Sequence, residues 1–202
     1  MRLFLREEIT QTLSEISDLA TIIESRFSEL RDVEMPGYTH LQPAMPSSFG
    51  MWLHSWYEWA LELSQNGISL LNSIDSNPLG SGAGFGSSLK IDRELVAKHL
   101  QFAKVQRSFI DVNNSRGRAE ERCLRFLSDI ASFLEKFACD FMLYQTREFC
   151  FLTLPDNLTT GSSIMPQKRN CDLKELLGRA AKVRSCAFEV ASVIAKLPSS
   201  HH

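Results

Sequence analysis

Apolar residues return at intervals of three and four along most of the chain, the period of helices that each bury one stripe. Ile9, Leu13, Ile16, Leu19, Ile23, Phe27 and Leu30 predict a first helix over residues 3–33, which Met35-Pro36-Gly37 stops. Ser47 or Ser48 can cap a second helix reaching about Ile74, with Phe49, Trp52, Trp56, Ala60, Leu63, Leu70 and Ile74 on its apolar side. A Gly/Ser loop over 77–88 follows, then a short helix from Asp92 to near Phe102. Leu124, Leu127, Ile130, Leu134, Phe137, Phe141 and Tyr144 predict a long helix over 115–148. After a loop over 150–171, a last helix runs from about Asp172 to Ala195. No segment alternates clearly enough to predict a strand.

The fold class expected is therefore all-α, a bundle of long helices. The three helices with the stripes named above each exceed roughly 20 residues, or about 30 Å at 1.5 Å per residue. Compact domains average helices of about a dozen residues. Apolar stripes of this length exceed what one chain covers, so self-association through the long helices is expected.

Composition adds exclusions. At 44% hydrophobic and 23% charged over 202 residues, the chain is that of a soluble globular protein. A net charge of −2 argues against a general nucleic-acid surface. No apolar run approaches the roughly 18 residues of a membrane span, and no secretory leader opens the sequence. Cys123, Cys139, Cys150, Cys171 and Cys186 are odd in number and form no C-x-x-C pair, which suits reduced thiols in a cytoplasm. No histidine or cysteine spacing suggests a metal site.

Three stretches could carry chemistry. The segment "MPGYTHLQPAMP", 35–46, offers Thr39, His40 and Gln42 between prolines. A histidine so flanked suits proton transfer or carboxylate binding, or the segment is a stiff interhelical turn. In "GSSIMPQKRN", 161–170, Gly161 permits close backbone approach, and main-chain N–H groups near Ser162 and Ser163 could form an anion nest beside Lys168 and Arg169. Such donors could stabilise a serine alkoxide or hold a substrate carboxylate. A mobile polar surface loop is the other reading, and no nucleophile elbow is present. Glu175, early in the helix that follows, either answers the helix dipole or pairs with a histidine from elsewhere. "NNSRGRAEER", 113–122, places Asn113, Asn114, Arg116 and Arg118 at the start of the longest helix, as donors for an anion or as a solvated face. "PLGSGAGFGSS" lacks the Lys-Ser/Thr ending of a phosphate loop and reads as glycine hinges or tight packing. His54, in "WLHSWYEW", reads as structural, and His99 has no chemical company.

The residues of 161–170 closely resemble the G-S-S-x-M-P-x-K-x-N signature of the fumarase/aspartase superfamily. "MPGYTHLQPA", "PLGSGA", "EFCFLTLPDNLTTGSS" and "LPSSHH" are similar to the argininosuccinate lyase branch, and the resemblance spans essentially 1–202. It implies anti elimination of argininosuccinate to arginine and fumarate, without metal or organic cofactor, in a cytoplasmic homotetramer whose sites are each shared among three subunits. It implies Ser162 as base, His40 as general acid or its stabiliser, and Glu175 as the partner of that histidine. Thr39, Lys168 and Asn170 correspond to substrate-binding positions, with Gln42, Ser163, Asn114 and Arg116 as further candidates. Another fumarate-releasing lyase such as adenylosuccinate lyase, or a non-catalytic crystallin-like homologue, is the alternative.

The sequence departs from that pattern in places. Asn170-Cys171 stands where the family has N-P, which would loosen the helix start. Asn113-Asn114-Ser115-Arg116-Gly117 stands where it has a stretch like S-D-R-D-F, with Arg116 as a substitute contact. The resemblance further implies a central region, 1–202, lacking an N-terminal domain and a C-terminal part, inactive or nearly so by itself. The loop over 155–170 is expected to be mobile, as a lid must be.

Overall fold

Four long helices form, three of them at the stripes read above and the fourth at the last predicted helix. The computed structural model describes residues 1–167 and 169–195. Among them six helices form: α1 (Arg2–Glu29), α2 (Phe49–Ile74), α3 (Arg93–His99), α4 (Phe109–Asn114), α5 (Arg118–Tyr144) and α6 (Lys174–Ile194). Short strands lie between them: β1 (Glu34–Thr39), β2 (Gln42–Ser48), β3 (Ser76–Asn77), β4 (Lys104–Val105), β5 (Thr159–Thr160) and β6 (Asn170–Cys171). The helices define an all-α protein, and the strands serve as clips.

Local chemistry sets the helix ends. Ser48 Oγ accepts the Met51 N–H at 3.2 Å, so of the two candidate serines it is Ser48 that caps α2. The Phe49 and Gly50 N–H groups donate to Val33 and Leu30 carbonyls at 3.0 and 3.1 Å. Those two bonds draw the start of α2 against residues 30–33, and a Cβ on Gly50 would lie 2.9 Å from the Arg31 carbonyl oxygen. Asp92 caps α3 by accepting the Leu95 N–H, and Ser108 caps α4 by accepting that of Asp111.

Two compact units divide the chain. The first holds Met1–Ser14, Gln65–Leu127 and the described residues from Ser185 on; the second holds Glu15–Ser64 and the described residues of Ser128–Arg184. In the first, Ile9, Leu70, Ile74, Phe102, Cys123 and Phe126 are buried. β3 and β4 pair in parallel there, and α3 lies between them in the chain. The glycine loop is tightly packed: a Cβ on Gly82 would lie 2.7 Å from the Gly86 carbonyl oxygen, and one on Gly86 would lie 2.8 Å from the Phe109 ring.

In the second unit Ile16, Ala20 and Ile23 of α1 are buried with Leu53, Trp56, Ala60 and Leu63 of α2 and Phe133 and Ala138 of α5. Trp56 and Trp59 both meet Phe133 edge to face, at 5.7 and 5.4 Å between centroids. Offset and edge-on aromatic pairs of this kind add about 0.5–1.5 kcal/mol to the area they bury.

The structure corrects three expectations. The segment 35–46 is an antiparallel hairpin, β1 with β2, rather than a plain interhelical loop; its register runs from Glu34 opposite Ser48 to Thr39 opposite Gln42, with an irregularity at Gly37/Tyr38. Pro36 sits opposite Pro46, which is tolerable because each strand has one partner here and proline lacks the N–H a second would need. The long helix does not begin at 115. Asn113 and Asn114 close α4, residues 115–117 turn with Gly117 at φ 78°, and α5 starts at Arg118. Finally, α5 buries Cys123, Phe126, Ala131, Phe133 and Ala138, while the stripe from Leu124 to Tyr144 is half-buried. Both stripes are apolar, so periodicity alone could not choose between them.

Candidate active site

Ser162 lies in a loop closed at its base by β5 and β6, with Thr159 opposite Cys171 and Thr160 opposite Asn170. Two side-chain contacts reinforce that base. Arg169 approaches Asp156 at 3.2 Å, and Thr160 Oγ1 donates to Asp172 Oδ1 at 3.0 Å. Inside the loop the Ser162 N–H donates to the Gln167 carbonyl at 3.2 Å. Ser162 Oγ accepts the Met165 N–H at 2.9 Å and the Ile164 N–H at 3.3 Å. Both acceptor positions of the neutral hydroxyl are thus used by main-chain donors. The same donors would favour the alkoxide, because hydrogen bonds to a charged form stabilise it. The nest lies in the turn after Ser162, and Ser163 is exposed beside it.

A cavity of about 420 Å³ adjoins the loop, lined by Thr146, Arg147, Cys150, Thr159, Gln167 and Arg169 among others. The two arginines make its wall electropositive. Sequence reading did not single out Arg147, whose only signal is its place between the end of α5 and the serine loop. Lys168 lies outside the described residues.

His40 occupies the tip of the β1–β2 hairpin. His40 and Leu41 have φ of 53° and 60°, the paired positive values of a type I′ turn. Neither is glycine, so both hold a conformation that L-residues rarely take, and such strain gathers at functional positions. The His40 side chain is exposed and has no hydrogen-bond or ion-pair partner among the described residues. Thr39 and Gln42 close the turn as its last paired residues, both exposed.

Glu175 is in the first turn of α6, where its N–H donates to the Asp172 carbonyl at 3.0 Å. Its carboxylate faces Arg179 at 3.6 Å, an exposed pair worth little. No histidine of the chain is its partner among the described residues. Cys171 is not at a helix start: it is buried in β6, three residues before α6, and keeps a main-chain N–H that proline would lack. Asn170 pairs with Thr160 in the same ladder.

Asn114 and Arg116 belong to the first unit, whereas the other described candidates belong to the second. Asn114 ends α4, and Arg116 follows in the turn, its N–H donating to the Asn113 carbonyl at 3.3 Å. Neither is at a helix start. Asn113 Nδ2 donates to the Gly84 carbonyl at 3.0 Å and to that of Phe109 at 2.8 Å, so it ties the glycine loop to α4. His54 faces Glu58 at 3.4 Å and stacks edge-on with Phe27, the structural role expected. All five cysteines are unpaired. Among the described residues no helix is long and apolar enough to cross a membrane.

Long helices, with a serine held between main-chain donors in one loop and a histidine on the strained tip of a hairpin, define an all-α protein with a candidate anion-handling site. The lyase family model matches residues 1–184, and the chain belongs to that family. It is 36% identical over 202 residues to an argininosuccinate lyase of Phocaeicola vulgatus and 39% identical to one of Xylella fastidiosa, in each case over 100% of this chain and 45% of the relative. An argininosuccinate lyase of Stenotrophomonas maltophilia is 38% identical over 205 residues, 47% of its length. The chain thus spans about half the length of these relatives. Among solved structures, EDDS lyase in complex with formate superimposes with a TM-score of 0.93 at 22% identity, over 98% of this chain and 40% of that one. Class II fumarase from Schistosoma mansoni gives 0.83 at 19%, over 99% and 48%. At such identities the two structures establish the fold.

Proposed function

We propose that the chain is the central helical region of an argininosuccinate lyase. In this reading Ser162, as alkoxide, takes the proton α to a substrate carboxylate. The electron pair passes into that carboxylate as an aci-dianion, then returns to expel arginine and leave fumarate. The observation that carries the proposal is the pair of N–H groups on Ser162 Oγ, from Ile164 and Met165. Donors fixed before the reaction stabilise charge without having to reorganise, which is how an otherwise poor base is readied.

His40 gives the leaving nitrogen its proton or stabilises the group that does, and Glu175 sets the ring's tautomer and charge. Lys168 supplies positive charge to the dianion, while the Ile164 and Met165 N–H groups stay on the serine oxygen. Thr39, Gln42, Ser163 and Asn170 bind the substrate, and Asn114 and Arg116 are further contacts. The whole enzyme is read as a cytoplasmic homotetramer that shares each site among subunits and needs no metal or organic cofactor. Two facts support that sharing: the His40 side chain has no partner among the described residues, and Glu175 faces Arg179. Exposed apolar side chains on the long helices, among them Phe4, Ile22, Met51 and Phe188, support assembly.

The test is Ser162→Ala in the full-length protein, checked for intact assembly and followed by fumarate absorbance with argininosuccinate. A general base contributes about 10²–10⁴-fold, so turnover should fall at least a hundredfold. Undiminished turnover would overturn the mechanism. The 202-residue chain alone is expected to show no more than trace activity.

A further inference from the structure

We propose that the first unit carries a binding site for a doubly charged oxyanion of the phosphate class, held by Lys104 and Arg122 above a floor of Arg2, Ser76, Gln106 and Ser115. These side chains line a cavity of about 350 Å³, together with Arg107, Asp111 and Arg118 among others. That volume admits a phosphate group with an organic substituent. It is built entirely from the first unit, so it does not depend on the lyase reading.

The floor is a fixed hydrogen-bond network. Arg2 Nη1 donates to both the carbonyl and Oγ of Ser76 at 2.7 Å. Its Nη2 donates to Gln106 Oε1 at 2.7 Å and to Ser115 Oγ at 3.3 Å. Gln106 Nε2 donates in turn to Asp111 Oδ2 at 2.6 Å and to Ser115 Oγ at 3.0 Å. Ser76 and Ser115 are buried, which leaves this network little freedom.

Negative charge is what the cavity lacks. Five cationic side chains and a single carboxylate line it. That carboxylate, Asp111, is already engaged by Arg118 at 2.7 Å. Arg107 has Glu94 at 3.7 Å, an exposed and distant pair. The Lys104 and Arg122 side chains have no acceptor among the described residues. Burial pushes the Arg2 guanidinium down from its ordinary value, while Glu120 pulls it up. An anion in the cavity would relieve the same cost. An ammonium and a planar guanidinium fork together suit a tetrahedral oxyanion of charge near two better than one carboxylate.

The 202-residue chain can be titrated with inorganic phosphate by calorimetry and by thermal melting, at an ionic strength held constant with potassium chloride. Sodium fumarate serves as a parallel arm. Phosphate should raise the melting temperature over the chloride reference. The double variant Lys104→Ala/Arg122→Ala, both exposed and so expected to fold normally, should bind it at least tenfold more weakly. No shift over chloride, or an unchanged response in the variant, would overturn the site. Equal binding of fumarate would overturn its assignment to the phosphate class. Neither arm reads turnover, so failure here is distinct from failure of the lyase mechanism.

Discussion

Tyr38 meets Phe149 edge to face, with ring centroids 5.0 Å apart and planes inclined by 63°. Tyr38 is two residues from His40 on β1, and Phe149 opens the segment that runs on to Ser162. Phe151 is 6.2 Å from Tyr38 and 5.6 Å from Tyr144, which lies 5.5 Å from Trp52 on α2. The hairpin and the approach to the serine loop are therefore fastened to one aromatic row inside the second unit.

Removing that fastening should be felt as lost packing. Tyr38 is half-buried, so Tyr38→Ala is expected to cost about 1–3 kcal/mol, below the range for fully buried aromatics. Tyr38→Phe should be neutral, because the hydroxyl has no hydrogen-bond partner among the described residues. Urea denaturation of the chain compares the two. Equal losses would mean that the hydroxyl, not the ring, does the holding.

The hairpin tip stores strain that glycine can release. Leu41 has φ 60° and is 68% exposed, so its side chain packs against little. Left-handed backbone costs an L-residue roughly 1–2 kcal/mol, and glycine gives back roughly 0.5–1 kcal/mol in unfolded-chain entropy. Leu41→Gly should therefore stabilise the chain by about 0.5–1 kcal/mol relative to Leu41→Ala, which keeps the strained φ. The reverse order in thermal melts would remove the strain argument.

Acid should weaken the second unit through Glu135. Arg184 holds its carboxylate in a two-pronged pair, at 2.6 and 3.0 Å, and the hydrogen bond from Arg184 lowers its pKa below the ordinary value. A lowered folded pKa gives stability that is complete above the unfolded value of about 4.3. That stability drains away as the pH falls through the lowered folded value. Glu135→Gln should be less stable than the parent near neutrality, with the gap closing in strong acid. Parallel melting curves across the pH range would show that the pair contributes nothing through protonation.

Much of this was legible beforehand. A serine cap at 47 or 48, Ile74 as the end of α2 and the stripe of α1 follow from spacing and capping chemistry alone, and the structure takes Ser48 for the cap. Main-chain N–H groups near Ser162 are one of two readings that Gly-Ser-Ser offers, the other being a polar surface loop. Which N–H groups point at the hydroxyl is set by the turn at Ile164 and Met165, which spacing does not reveal. The hairpin was missed because its prolines read as strand breakers and its tip lacks the Asn-Gly that announces a type I′ turn. The break at 115–117 was passed over because apolar spacing continues on both sides, leaving Gly117 as the only punctuation. The pairing of Glu175 with His40 comes from the resemblance alone, and within one chain no hydrogen bond or ion pair joins them among the described residues.

The two bonds that cradle Ser162 come from peptide groups rather than side chains. Ile164 points outward, 93% exposed, and Met165 is also exposed. For the purpose of polarising that hydroxyl, either position can drift to almost any amino acid, proline excepted. What sets this serine apart from others on the surface is thus a local curl of the polypeptide, inherited whole wherever the curl is kept.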